Sequence, residues 1–352
     1  MPTPPPRRVA VIGLGMAVTP HAKSLVDLVE AGRVEVAGAW SRSAERRAAF
    51  AARFPSIPVT GDLDGLIADE TVTAALLVTP PNAREELAAK LAGAGKHVLM
   101  EKPVERTTAA ATRIVDACER GGVTLGVVFQ QRFREGSERL HRLLADGALG
   151  ELAAVQLAVP WWRPQEGYYD APGRGTLERD GGGVLISQAI HSLDLMLSLT
   201  GPVAEVAALG GTSRMHRMET EDFVGAGLRF ANGALGSLVA TTACYPGGPE
   251  RLVLSGTKGT ATLEAGTLSL AYLDGRSERH GETVGSGGGA DPMAFPHDWH
   301  KAMIADFLGA LDEGRPPRVS GREALRVHRL IDALLQSARE RRAVDVAGDT
   351  DG

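Results

Sequence analysis

The stretch RVAVIGLGMAV, residues 8–18, decides the fold of the first half of the chain. Its first part, RVAVIGL (8–14), is apolar throughout and reads as a buried strand, and TPHAKSLVDLVEAG (19–32) reads as an amphipathic helix ending at a glycine. Between them GLGMAV (13–18) has the glycine spacing of a dinucleotide-binding turn. Gly13 permits the tight turn. Gly15 lets the backbone of Leu14, Met16 and Ala17 approach a pyrophosphate, which then rests on the helix N-terminus. Val18 replaces the usual third glycine, so a slightly wider gap between helix and strand is expected.

Outward from that turn the same rhythm repeats. VEVAGAW (34–40), AALLVT (74–79), HVLM (97–100) and TLGVVF (124–129) read as buried strands, with helices over 43–53, 82–94 and 107–120. Strands apolar on both faces and alternating with helices imply an α/β fold of the Rossmann kind, a doubly wound parallel sheet. After about residue 130 the pattern changes. ELAAVQLAV (151–159) and repeated strand-like runs over 203–280 follow one another without helices, apart from one over 184–199. The hairpin signal VGAGLRFANGALGSLVATTA is the clearest of these. The expectation is a C-terminal α+β domain with a large, open-faced, mostly antiparallel sheet, closed by helices over 297–312 and 321–341. The divisions expected are a disordered tail over 1–7, an NAD(P)-binding domain over 8–127, and a substrate-binding and oligomerisation domain over 128–352. The open sheet face would serve a homodimer or homotetramer.

The 352 residues carry a net charge of −5, which argues against nucleic acid or an anionic membrane as partner. No apolar run is long enough to span a bilayer, and MPTPPPRR lacks the apolar core of a secretory leader. Cys118 and Cys244 are too few for a disulfide framework, so a reducing, cytoplasmic setting is expected.

Four further segments carry chemistry. At the end of the second strand, WSRSAERR (40–47) has no acid before Glu45 to hold a ribose 2′-hydroxyl. Ser41 and Arg42 can instead hold a 2′-phosphate, which favours NADP over NAD; Ser43 is the expected N-cap of the next helix. In GKHVLMEKPVE (95–105), Glu101 and Lys102 fall at the C-terminal end of a buried strand, where open α/β sheets bind ligands. Pro103 restricts Lys102 to extended geometry, and the lysine can hold a substrate hydroxyl; a plain surface lysine is the simpler alternative. In GGGVLISQAIHSLD (181–194), a helix over 184–199 places Ile186, Ile190, Leu193 and Leu197 on one stripe. Ser187, His191, Asp194 and Ser198 form a polar stripe beside it. Asp194 can accept a hydrogen bond from His191, whose other nitrogen is then left to exchange a proton. The loop before it, VPWWRPQEGYYDAPGRGTLERD (159–180), offers Arg163, Tyr169 and Arg174 as substrate contacts. No metal site is expected, because His191, His297 and His300 lack the spacing of a zinc set.

AVIGLG, VTPPN (78–82), GKHVLMEKPV and GGGVLISQAIHSLDLMLSLTG (181–201) together resemble the Gfo/Idh/MocA oxidoreductases. The likeness continues through SGTKGTATLE (255–264) and DFLGALDEGRPPRVSGREAL (306–325). It implies hydride transfer between NADP or NAD and a small polyhydroxy substrate such as a sugar or cyclitol. Lys102 and His191 would flank the reacting carbon, while Thr79, Pro80 and Asn82 line the cofactor and His300 lies near the pocket. Two departures stand out: Ser187 stands where many members have an acid, and Arg84 where they often have histidine. Arg84 is expected only as an exposed helix start. Within the same resemblance, a glycosidase using tightly bound NAD is an alternative; a non-catalytic dinucleotide-binding regulator is another.

Overall fold

The computed structural model describes residues 6–283 and 295–348. The expected tail lies outside the described residues over 1–5, and the strand β1 (Arg7–Ile12) has already begun at residue 7. The chain gathers into two compact units, residues up to Phe129 with His297–Leu325, and Gln130–Pro296 with the chain from Arg326 onward.

In the first unit six strands run in parallel in the order β3-β2-β1-β4-β5-β6. They are β1, β2 (Val34–Trp40), β3 (Val59–Thr60), β4 (Val72–Leu77), β5 (His97–Met100) and β6 (Leu125–Val127). Helices α1 (Val18–Glu30), α2 (Ala44–Arg53), α3 (Leu63–Ala68), α4 (Arg84–Gly93) and α5 (Thr108–Arg120) connect them. Strands with both faces covered must be apolar throughout, and Val9, Val11, Ile12, Leu76, Leu77, Val98 and Met100 are all buried. The sheet order reverses at β1, which has β2 on one side and β4 on the other. The C-terminal end of β1 is therefore where such a sheet opens a ligand crevice.

The segment His297–Leu325 belongs to this unit, although it lies beyond the break after residue 127 expected from the sequence. Its helix, α6 in sequence being the shorter Glu135–Ala145 and α8 being Asp298–Glu313, lies against α1. Ser24 donates to the His297 carbonyl at 3.1 Å, and Lys301 and His297 reach Asp27 at 2.8 and 3.1 Å. Phe307 of α8 fills the space that a Cβ on Gly126 would need, 2.8 Å away. Sequence order hides this return, because it is made by packing and not by a local motif.

The second unit is built on a nine-stranded sheet of order β14-β13-β12-β11-β7-β10-β9-β8-β15. Its strands are β7 (Leu152–Pro160), β8 (Val203–Gly211), β9 (Phe223–Phe230), β10 (Leu235–Thr241), β11 (Arg251–Gly256), β12 (Gly259–Glu264), β13 (Thr267–Tyr272), β14 (Ser277–His280) and β15 (Val344–Asp345). Among the described residues, only β7 and β10 of this sheet pair in parallel; the other pairs are antiparallel. One face packs against α6 and against α7 (Ile190–Thr200). On the other, Leu209, Phe223, Leu235 and Val239 of β8, β9 and β10 stand exposed. The expected open-faced sheet is therefore present. α9 (Gly321–Glu340) precedes β15.

Candidate cofactor and active site

Gly13 sits at φ +106°, and a Cβ there would lie 2.6 Å from the Val78 carbonyl carbon and 2.7 Å from Thr79 N. Only glycine fits, and its N–H donates to the Trp40 carbonyl at 2.8 Å. Around Gly15 the situation is reversed: a Cβ would meet nothing within 4 Å, leaving open space beside the backbone. Leu14 is buried and Met16 exposed. α1 starts with Ala17 as N-cap, with no side-chain cap and no acid in its first turn. Its positive dipole end is left for an anion. Nearby, the Thr79 hydroxyl is buried without a hydrogen-bond partner, while Pro80 and Asn82 are exposed. An unsatisfied buried hydroxyl beside an uncapped helix start fits a dinucleotide.

Ser43 caps α2 as expected, its hydroxyl accepting from Arg46 N at 3.2 Å. Ser41 is buried and Arg42 exposed. Arg47, which the sequence did not single out, donates to the Ser41 and Arg42 carbonyls at 2.6 and 3.2 Å and so fixes the turn that presents them.

At the end of β5 the Glu101 carboxylate receives two groups. His21 Nε2 lies 2.8 Å from one oxygen, and Lys102 N donates to the other at 3.0 Å. Burial alone raises such a carboxyl, but hydrogen bonding and charge from His21, with His300 and Lys102, hold Glu101 at about 2. Lys102 is half-buried and its peptide bond to Pro103 is cis. Arg84 corrects the sequence reading. It is not an exposed helix start; it is 2% exposed, and its guanidinium is spent on backbone carbonyls. Nε and Nη2 donate to Thr79 O at 2.9 and 2.7 Å, Nη1 donates to the Glu101 and Pro103 carbonyls, and Nη2 reaches Lys102 O at 3.5 Å.

His300 lies edge-to-face against His21, ring centroids 4.9 Å apart. With Glu101 these two histidines form a buried group whose donor atoms all lie within 4.8 Å of one another. The sequence had grouped His300 with His191 and His297 instead. The contact between His21 and Glu101 is an ordinary hydrogen bond, and we read the group as a hydrogen-bonded support for the Lys102 segment. Burial, and then the neighbouring His21, push His300 down to about 3, so the folded protein keeps it neutral. The unfolded chain binds a proton there below about pH 6.5 and the folded chain does not, so stability falls as pH drops from that value towards 3. Between pH 7.5 and 5 the loss expected from this residue is about 2 kcal/mol, and Glu101 adds its own loss only below about 4.5. Urea unfolding at the two pH values should show the loss in the wild type and a smaller one in His300→Gln. Equal losses in both proteins count against it.

In the second unit, the three glycines at 181–183 serve three separate demands. Gly181 adopts φ +80°; a Cβ on Gly182 would lie 2.9 Å from Ile186 Cγ2; one on Gly183 would lie 1.8 Å from the Glu221 carbonyl oxygen. The Glu221 carboxylate accepts from Gly183 N at 3.1 Å and Leu185 N at 3.2 Å, and its carbonyl accepts from Val184 N at 2.8 Å. Glu221 thus caps the helix start from a distant part of the chain. Burial raises its pKa despite those bonds.

The helix itself departs from the uniform α-helix expected over 184–199. Leu185–Ala189 forms a wide π turn before α7 begins at Ile190, so Ser187 and His191 lie on either side of a change in helical pitch. The polar stripe is also not solvent-facing: His191, Ser192 and Asp194 are buried, while Ser187 and Ser198 are half-buried. Buried polar groups need partners. Both oxygens of Asp194, the residue expected to serve His191, accept from Arg132, with Nε at 2.7 Å and Nη2 at 2.6 Å. That fork was invisible in the sequence, because Arg132 lies on the short 3-10 helix Gln130–Phe133, 62 residues from Asp194.

In the loop over 159–180 the expected contacts are divided. Tyr169, expected as a substrate contact, is buried with its hydroxyl 2.7 Å from Thr242 Oγ1. Tyr168 is the half-buried ring, with Arg163 and Arg174 5.6 and 5.1 Å from its centroid and its hydroxyl accepting from Gln188 at 3.0 Å. Arg163 is buried, and its carbonyl is tied to His216, which in turn meets Asp222 at 2.7 Å.

Among the described residues, no helix is long and apolar enough to cross a membrane. Residues 7–129 match the model of an oxidoreductase family with an NAD-binding Rossmann fold, and 137–262 match the GFO/IDH/MocA C-terminal domain. The 1,5-anhydro-D-fructose reductase of Ensifer adhaerens is 28% identical over 89% of this chain and 91% of its own length. The myo-inositol 2-dehydrogenase of Thermotoga maritima is 25% identical, covering 96% and 98%. The WlbA dehydrogenase of Bordetella pertussis, solved with NADH and UDP-GlcNAcA, superposes with a TM-score of 0.81 at 29% identity, covering 98% and 100%. With the reversed parallel sheet, the glycine turn and the two matched domains all in agreement, the chain belongs to the Gfo/Idh/MocA family of NAD-binding oxidoreductases.

Proposed function

We propose that the protein is a dehydrogenase or reductase acting on a sugar, cyclitol or related polyhydroxy compound, with NADP preferred over NAD. The observation that carries this is Lys102, half-buried at the C-terminal end of β5, on a segment fixed by charged groups beside the orphaned Thr79 hydroxyl. The names of the relatives support the substrate class. When bound, the nicotinamide supplies the donor or acceptor of hydride. Lys102 holds and polarises the reacting oxygen, and His191 exchanges its proton. Ser187 offers a neutral hydrogen bond to a neighbouring hydroxyl, and Asp194 shares its charge with Arg132. Gly13, Leu14, Gly15, Met16, Ala17, Thr79, Pro80 and Asn82 hold the cofactor, with Ser41 and Arg42 on the 2′-phosphate. Arg163 and Arg174, whose guanidiniums lie over the Tyr168 ring, bind the substrate. His300 supports the site through His21 and Glu101.

We assign cofactor binding to the domain over 8–127, and substrate binding and oligomerisation to the domain over 128–352. The exposed Leu209, Phe223, Leu235 and Val239 favour pairing of sheet faces in a homodimer or homotetramer. Two free cysteines, Cys118 buried and Cys244 exposed, fit a reducing cytoplasm.

The test is a panel of sugars, cyclitols and uronates with NADP and NAD, followed by nicotinamide absorbance. Turnover of at least one member is expected. Tight cofactor binding with no turnover would favour the glycosidase or regulator. Arg42→Ala should lower the preference for NADP about tenfold or more, the worth of one charge-assisted hydrogen bond. An unchanged preference refutes the phosphate contact.

A further inference from the structure

We propose that Arg84 is a positioning residue for Lys102: its buried guanidinium, clasping the carbonyls of Thr79, Glu101, Lys102 and Pro103, sets the place from which the lysine ammonium acts. The inference rests on the reading of Lys102 as the group that holds the reacting oxygen.

The three carbonyls of Glu101, Lys102 and Pro103 follow one another in the chain, and all three turn towards one cation. β5 ends at Met100, so this segment is beyond the strand, and the donors for these buried acceptors come from a side chain. On the donor side, the Lys102 N–H is held by the Glu101 carboxylate at 3.0 Å, and that carboxylate is held by His21. The N–H and the C=O of Lys102 are therefore both restrained by charged side chains.

The geometry also demands arginine. A planar guanidinium has five N–H donors in a fixed fork, and Arg84 distributes them over four carbonyls. An imidazole has two donors at most, and a lysine ammonium presents its three from a single point. The histidine expected here from the family resemblance cannot make the same clasp. Burial lowers the Arg84 pKa to about 10, with Glu101 and Glu105 opposing the fall, so the guanidinium stays charged at neutral pH. Its other end is the Thr79 carbonyl, which places the cofactor-lining turn and the Lys102 segment on one anchor.

The experiment is a cycle of Arg84→Met, Arg84→Lys and Arg84→His, each made alone and with Lys102→Ala, assayed with the panel member turned over best. Arg84→Met alone should lower kcat by about 10–100-fold, as expected for a reacting group displaced by about 1 Å, with the substrate KM changed only a few-fold. Arg84→Lys should recover part of the loss and Arg84→His less. On the Lys102→Ala background, Arg84→Met should cost less than about twofold more, because a residue acting through Lys102 has nothing left to position. An equal fractional loss on both backgrounds, or wild-type kcat in folded Arg84→Met, overturns the proposal. If Arg84→Met does not fold, Arg84→Lys and Arg84→His carry the same comparison. Hydrogen–deuterium exchange gives a reading that does not need turnover: peptides over 97–107 should exchange faster in the Arg84 variants, and unchanged exchange there also overturns the clasp. Full activity in Lys102→Ala, by contrast, removes the assignment of Lys102 and leaves the clasp to be judged by exchange alone.

Discussion

Lys102→Met and His191→Ala are each expected to lower kcat by about 10²–10⁴-fold while the dissociation constant for NADP or NAD changes only a few-fold. The two losses have different origins. In the proposed mechanism Lys102 contributes a positive charge where negative charge gathers on the reacting oxygen, and that charge matters most in the transition state. His191 is proposed as the proton donor and acceptor, so its removal should also flatten the pH dependence of kcat. Lys102 is half-buried on a segment held by Arg84 and Glu101 through its backbone. Deleting its side chain therefore leaves the fold intact, and circular dichroism should confirm that the variant is native. Steady-state kinetics of the two variants decide the matter: wild-type kcat in either one removes that residue from the mechanism.

Gly183→Ala should cost at least about 3 kcal/mol of stability, a large part of the total for a protein of ordinary stability. The new Cβ would fall 1.8 Å from the Glu221 carbonyl oxygen and 2.7 Å from its carbonyl carbon. Both are backbone atoms, and they are tied to the helix start through Val184 N at 2.8 Å. Making room means parting the two segments, which also loosens the carboxylate cap on Gly183 N and Leu185 N. Gly182→Ala is the internal comparison. Its Cβ meets Ile186 Cγ2 at 2.9 Å, a side-chain methyl and not a backbone atom, so a smaller loss is expected. Thermal unfolding of the two variants should separate them by several degrees; equal Tm values would show that the close approach to Glu221 carries no strain.

The first of these predictions grew from features visible in the sequence and the second did not. β2 and β5 lie where VEVAGAW and HVLM put them, and Ser43 caps α2 as its position suggested. Periodicity, caps and turn glycines are local signals, set within a few residues by sterics and by the need to bury apolar surface. They sufficed for a parallel sheet followed by a mixed one, and for Lys102 at a strand end.

Partnership is a different matter. Arg84 and Glu101 are 17 residues apart, Arg132 and Asp194 62, and His21 and Glu101 80. A charged residue at a helix start looks solvated in a sequence, and only packing reveals that its guanidinium is buried among carbonyls. The same is true of GGG at 181–183, whose third glycine answers to Glu221, and of α8, which folds back onto α1. The sequence by itself determined most of the elements, the dinucleotide turn and the candidate lysine and histidine, though not the short β3 and α3 or the π turn before α7. The tertiary structure alone decided which charge each polar group meets, because desolvation forces every buried polar atom to find a partner wherever the fold brings one.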